Sequence, residues 1–245
     1  MNRSKAESSI KNAEFNIKNV CVLQHTEAEF LGLIEDHFEG RNIRFDYQRP
    51  FTVGGSVPQS VEGYDGLIIL PGGPYGVVSG HLLPSFSAEL RLSKLFLGAG
   101  LPIIAFGLGA TILAIASGGG AEEAPLKFWL EKATRVDENA LAGRMPKTFP
   151  HAIYTRDKAV VPKGAEILAV GENEQPLVFS INDNCLGFMG HPGMKSGMAE
   201  DLIMEFAQTP PDTVQALEAL RKAQPEIAIS LSEMMKGMIE QTKLM

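Results

Sequence analysis

Leu101–Ala114, LPIIAFGLGATILA, decides how this chain is read. Pro102–Phe106 is a short apolar run, the pattern of a strand buried on both faces of a parallel sheet. Gly107 and Gly109 then make a tight turn, and Ala110–Ser117 continues as an apolar helix. A strand, sharp turn and helix in this order usually hold a reactive side chain at the turn. The turn residue here is Gly107, which has none.

The totals limit what surrounds this segment. The chain has 245 residues, 44% hydrophobic and 21% charged, enough to bury a full core without disulfides or metals. Its net charge of -7 makes it a poor electrostatic partner for nucleic acid or an anionic membrane. The two cysteines, Cys21 and Cys185, lie in strand-like runs without metal-ligand spacing, as reduced core residues of a cytoplasmic protein do. No charged residue occurs from Leu95 to Ala121, long enough to span a bilayer. Gly98, Gly100, Pro102, Gly107 and Gly109 punctuate that run, which suits a buried strand and helix and not a spanning helix.

Outward from the elbow, the pattern alternates strands and helices. Strands are expected at Asn19–Gln24, Ile43–Tyr47 and YDGLIIL (64–70), with helices at Ala28–Glu39, stopped by Gly40, and at Ser87–Leu97. After a loosely patterned stretch from Gly118 to Met145, short strands are expected at Ala152–Thr155, Ala165–Val170, Pro176–Ile181 and Cys185–Met189, with a turn at Asn182–Asn184. Ser196–Gln208 reads as a helix. The alternation implies an α/β fold in three layers, a mostly parallel central sheet with helices on both faces. Three units are expected: a polar tail over 1–18, the α/β domain over 19–208, and a helical extension over 209–245 after TPPD. The extension reads as two amphipathic helices, Asp212–Ala223 and Ile227–Lys243. The second carries a stripe of Ile227, Leu231, Met234, Met235, Met238 and Ile239, a core or homo-oligomer face.

Three strand-end loops stand out together: LPGGP (70–74), AFGLGAT (105–111) and GHPG (190–193). With ASGGGAEEAP, VPKGAEILA and GFMGHPG in order, Asn19–Gln208 resembles the class I glutamine amidotransferases, especially the stand-alone branch similar to the glutaminase half of GMP synthase. That resemblance implies a flavodoxin-like α/β fold. It also implies a cysteine at the elbow that attacks the glutamine amide, a histidine as base and acid, a glutamate that orients it, and backbone amides as an oxyanion hole. No cofactor is implied.

Carried over by position, Gly107 stands where the nucleophilic cysteine belongs and Leu108 where an oxyanion-hole amide belongs. Gly109 matches the required glycine, and Thr111 replaces the usual glutamine. His191 matches the catalytic histidine and Pro192 the proline after it. Gly193 stands where the orienting glutamate belongs, and Gly72 and Gly73 match the oxyanion loop. Nucleophile and orienter are both lost, so cysteine-dependent glutaminase activity is not expected. His191 reads more readily as a structural relic than as a working base.

Other residues carry weaker signals. Thr111 shares the elbow side of its helix, but a threonine nucleophile needs an activating base. Phe128 and Trp129 read as packing residues, with the pocket mouth as the alternative. His25 ends a strand near Glu27 and Glu29, at a spacing not diagnostic of a metal site; His37, His81 and His151 suggest no chemistry. GLGATI lacks the third glycine of a dinucleotide loop. Two readings stay open. One is a binding or regulatory module that recognises an amino-acid-like ligand or a partner enzyme in trans. The other is an amidotransferase-type enzyme of altered mechanism with His191 as base.

Overall fold

The structure, a computed structural model, describes residues 17–244. The tail expected over 1–18 lies outside these residues except for Ile17 and Lys18. In chain order the elements are β1 (Asn19–Leu23), α1 (Ile34–Glu39), β2 (Arg44–Gln48), β3 (Gly66–Ile69), β4 (Tyr75–Gly76), β5 (His81–Leu82), α2 (Phe86–Gly98), β6 (Ile103–Phe106) and α3 (Leu108–Ala116). There follow β7 (Gly120–Glu122), β8 (Lys127–Arg135), β9 (Thr148–Thr155), β10 (Lys158–Val160), β11 (Glu166–Val170), β12 (Pro176–Ile181), β13 (Cys185–Phe188), α4 (Ser196–Glu205) and α5 (Thr213–Thr242).

Nine strands form one sheet in the order β2-β1-β3-β6-β13-β12-β11-β8-β9. The first five are parallel and the rest antiparallel. The parallel strands are short and buried on both faces, so successive side chains enter opposite cores. Val20, Val22, Ile68, Ile104, Phe106 and Phe188 meet α1 and α5 through Phe38, Leu231, Met234 and Met235. Cys21, Leu23, Leu67, Ile69, Ile103 and Ala105 meet α2 and α3 through Leu92, Phe96, Ile112 and Leu113. This is the expected three-layer α/β architecture. Among the described residues no helix is long and apolar enough to cross a membrane. The hairpin at Asn182–Asn184 joins β12 to β13, with Asn182 and Asp183 at φ 53° and 63°, the left-handed pair that matches the twist of an antiparallel ribbon.

Three local expectations are corrected. The helix expected over Ala28–Glu39 begins only at Ile34. Residues 28–33 spend their backbone groups elsewhere: Leu33 donates its N–H to the Gly193 carbonyl (3.1 Å), and Gly32 sits at φ 64°. Gly40 stays right-handed at φ −63°, and the chain turns instead at Asn42, φ 55°. Second, the loosely patterned stretch after Gly118 contains the nine-residue β8, paired along its length with β9. Its Lys127, Glu131, Lys132 and Arg135 hid the strand period.

Third, the two C-terminal helices are one, α5, thirty residues long and continuous through Pro225. Proline removes a backbone donor and costs about 3 kcal/mol inside a helix. Both halves keep one buried face here: Ala216 and Leu220 pack with α4, while Leu231, Met234, Met235 and Met238 close the sheet. That burial outweighs one lost hydrogen bond. The Met-rich stripe is therefore core.

Candidate functional site

The elbow forms because β6 ends against β13 and α3 starts at once. Gly107 donates its N–H to the Phe188 carbonyl (2.8 Å), and its carbonyl accepts from Thr111 N (3.2 Å). Its torsions, φ 54° and ψ −117°, are strained for any residue with a Cβ. Gly109 is required by close approach: a Cβ there would lie 2.3 Å from the Ile69 carbonyl oxygen of the neighbouring strand. Gly109→Ala is expected to cost about 1–3 kcal/mol through this overpacking; denaturant unfolding would measure it.

One face of the elbow borders a cavity of about 210 Å³. Gly107 and Thr111 form one wall, and Trp129, Ile153, Leu177 and Met189 face it. Trp129 is therefore a wall of the cavity, its indole N–H held by Glu131 (2.8 Å). Phe128 points the other way and packs on Tyr154, ring centres 5.5 Å apart. Cys21 and Cys185 are buried and free, and burial pushes their thiols up, to about 12 and about 11. Neither supplies a thiolate near neutral pH.

The other candidate residues lie elsewhere. His191 is buried and stacked on Phe106, ring centres 5.0 Å apart. Its Nδ1 accepts the Gly193 N–H (3.1 Å), so Nε2 carries the proton and donates to the Phe30 carbonyl (2.9 Å). Burial pulls its pKa down to about 4. Gly193 is wedged in place: a Cβ would come within 3.2 Å of both Ile34 and Leu231. His151, to which the sequence suggested no role, supports the same loop, its Nε2 accepting the Gly190 N–H (2.9 Å). Gly72 and Gly73 are buried, Gly72 against the Leu108 side chain and Gly73 against Leu202 and Phe206. Gly107 and Thr111 thus share a cavity that His191, Gly193, Gly72, Gly73 and Leu108 do not line.

A second polar network, unread in the sequence, holds the PGGP loop. His25 bonds the Pro71 carbonyl through Nδ1 and the Glu89 carboxylate through Nε2, each at 2.8 Å. Both ring nitrogens therefore donate, and the ring is an imidazolium. Burial alone lowers its pKa, but Glu89 overrides burial and raises it to about 9. At the other end of the loop, Arg156 donates to the Pro74 carbonyl (2.9 Å) and to Gln208 (2.6 Å). Next to it, one oxygen of Asp157 accepts the N–H groups of Val77, Val78 and Ser79, and the other accepts the Ser79 hydroxyl.

Glu29 lies inside this network, fully buried, and neither oxygen makes a well-formed hydrogen bond among the described residues. Burial drives its pKa up to about 8, offset only in part by His25 and the nearby Gly73 N–H. The Tyr154 hydroxyl near it is also buried and unpartnered among the described residues. The sequence signal for the network is faint: a histidine at the end of β1, and charged Arg156 and Asp157 directly after the apolar β9. Its partners come from distant segments. Among the described residues no cluster of three or more His, Cys, Asp or Glu side chains has metal-holding geometry.

No protein-family model and no curated protein matches the chain. Solved structures do. A glutamine amidotransferase from Thermotoga maritima superposes with a TM-score of 0.77 at 20% identity, covering 91% of this chain and 98% of that one. A glutamine amidotransferase from Methylobacillus flagellatus gives 0.78 at 20% identity, with 92% and 95% covered. A protein from Thermoplasma acidophilum described as a GMP synthase subunit gives 0.56 at 15% identity, with 86% and 98% covered. Likenesses at this identity show the fold alone, and the fold is that of the class I glutamine amidotransferases.

Proposed function

We propose that this chain uses the amidotransferase fold as a binding module, without cysteine-dependent glutaminase activity. The observation that carries the reading is His191: both of its ring nitrogens are taken by backbone groups, inside the protein and away from the elbow cavity. A general base needs a free nitrogen within reach of the proton it removes. Gly107 adds to this, since glycine supplies no nucleophile. An enzyme of altered mechanism with His191 as base needs that ring released from Phe30 and Gly193. What persists is a cavity beside the elbow, open to a small ligand.

Incubation with glutamine is expected to release no ammonia above the blank, and turnover like that of an ordinary amidotransferase would overturn the reading. Gly107→Cys with Gly193→Glu is expected to remain inactive. The introduced thiol would still lack an available base, and the new carboxylate would press into Ile34 and Leu231. Gly193→Glu alone is expected to cost about 1–3 kcal/mol from overpacking, with charge burial added, measured by denaturant unfolding.

A further inference from the structure

We infer that the elbow cavity takes a small monocarboxylate with an apolar body, such as an arylalkanoic acid, in place of an amino acid. The inference deepens the binding-module reading and rests on it. The cavity walls are Pro125, Trp129, Ile153, Pro176, Leu177 and Met189, a surface that suits a hydrocarbon or aromatic group. Its volume of about 210 Å³ exceeds the roughly 150 Å³ that accommodates benzene in an apolar protein cavity. A phenyl-sized body with a short tail fits that space.

The polar lining selects charge. An α-amino acid brings an ammonium group, which needs an acceptor. Asp157 is the one acidic residue of the lining, and both of its oxygens already serve the backbone of 77–79 and the Ser79 hydroxyl. Those bonds hold its carboxyl below the usual range despite burial, fixed in its structural task. The Gln175 side-chain amide N–H and the Trp129 indole N–H both donate to Glu131, outside the cavity, and the Gln175 oxygen accepts the Asn173 N–H. The charged groups left over are both cations. Lys127 opens β8 and Lys158 opens β10; both border the cavity, both are exposed, and neither is ion-paired among the described residues. The Thr111 hydroxyl, on the elbow wall, makes no hydrogen bond among the described residues and can meet a carboxylate or its bound water. The charged lining residues Lys127, Lys158 and Asp157 sum to one net positive charge in a chain of net charge -7, with Glu122 opposite Lys158 on β7, and that local excess favours an anion.

Trp129 is the sole tryptophan of the sequence, so its emission reports on this cavity directly. The full chain is titrated with 3-phenylpropanoate, with its neutral amide 3-phenylpropanamide, and with L-glutamine, with calorimetry as a check free of optical absorption. Saturable binding of the acid is expected, with the amide and glutamine each at least about tenfold weaker, the order expected from one charge-assisted contact. Lys127→Gln with Lys158→Gln is expected to weaken the acid about tenfold and leave the amide unchanged. The melting temperature should not move, because both lysines are exposed and unpaired. Equal affinity for acid and amide, tighter binding of glutamine, or no saturable binding of the acid would each overturn the inference. An ammonia assay on the same preparation separates the two claims. Ammonia released from glutamine sinks the non-glutaminase reading whatever the acid does. No ammonia together with no binding of the acid sinks the ligand class alone.

Discussion

Glu89→Ala is expected to destabilise the protein by about 3–5 kcal/mol, the cost of leaving one member of a buried ion pair alone. Glu89 and His25 are both fully buried, and their 2.8 Å contact balances the imidazolium. Without the carboxylate the ring sheds its proton, one nitrogen stops donating, and the Ser85 hydroxyl loses its acceptor at 2.5 Å. The Pro71 carbonyl, which opens the PGGP loop, keeps a partner only if the remaining proton sits on Nδ1. In a protein of this size the loss corresponds to roughly 6–20 °C in melting temperature.

The pH dependence has a definite sign. The folded pKa of His25, about 9, lies above its ordinary value of 6.5. The pair's stabilisation is therefore complete below about pH 6.5 and lost as pH rises through 9. The gap between wild type and Glu89→Ala should narrow over that window. Glu89→Gln, which retains an acceptor for the ring, should cost less. A loss below about 1 kcal/mol at pH 6 would show that the pair does not hold the loop.

Glu29→Gln is expected to act in the opposite direction. The Glu29 carboxyl is unpartnered among the described residues and buried, and its folded pKa of about 8 lies above the ordinary 4.5. The folded state thus holds this proton more tightly than the unfolded chain. Stability falls as pH rises above about 4.5, and the loss is complete above about 8. Glutamine has nearly the same shape and does not titrate. The variant should match wild type near pH 4.5 and exceed it by about 2–5 kcal/mol at pH 9, following the size of the shift. Urea unfolding at both pH values tests this; a variant equally or less stable at pH 9 would show that Glu29 is charged and satisfied there.

Much of the fold was legible in the chain because it is carried by local pattern. The buried strands β1, β3, β6, β12 and β13 are apolar runs bounded by turn residues, and the helices α2, α3 and α4 keep their period. What escaped depends on partners distant in sequence. Residues 28–33 have a helical period but lend their backbone to the GHPG loop. The charged side chains of β8 obscure a strand that β9 completes, and Pro225 marks a break that the packing of α5 overrides.

The candidate site divides in the same way. Residue identities alone place a strand, a glycine turn and a helix over 101–117, with glycine at positions 107 and 193, since none of these needs coordinates. They also place Thr111 on the elbow side of its helix, because a single helical turn sets that. Folding in three dimensions turns His191 into the Phe30 carbonyl, away from the cavity, and holds the PGGP loop with the buried cations His25 and Arg156. It also engages both oxygens of Asp157 with the backbone of 77–79 and the Ser79 hydroxyl. The physical reason is common to all three. A polar group buried without a partner is costly, and which partner it finds depends on segments that meet only when the sheet closes.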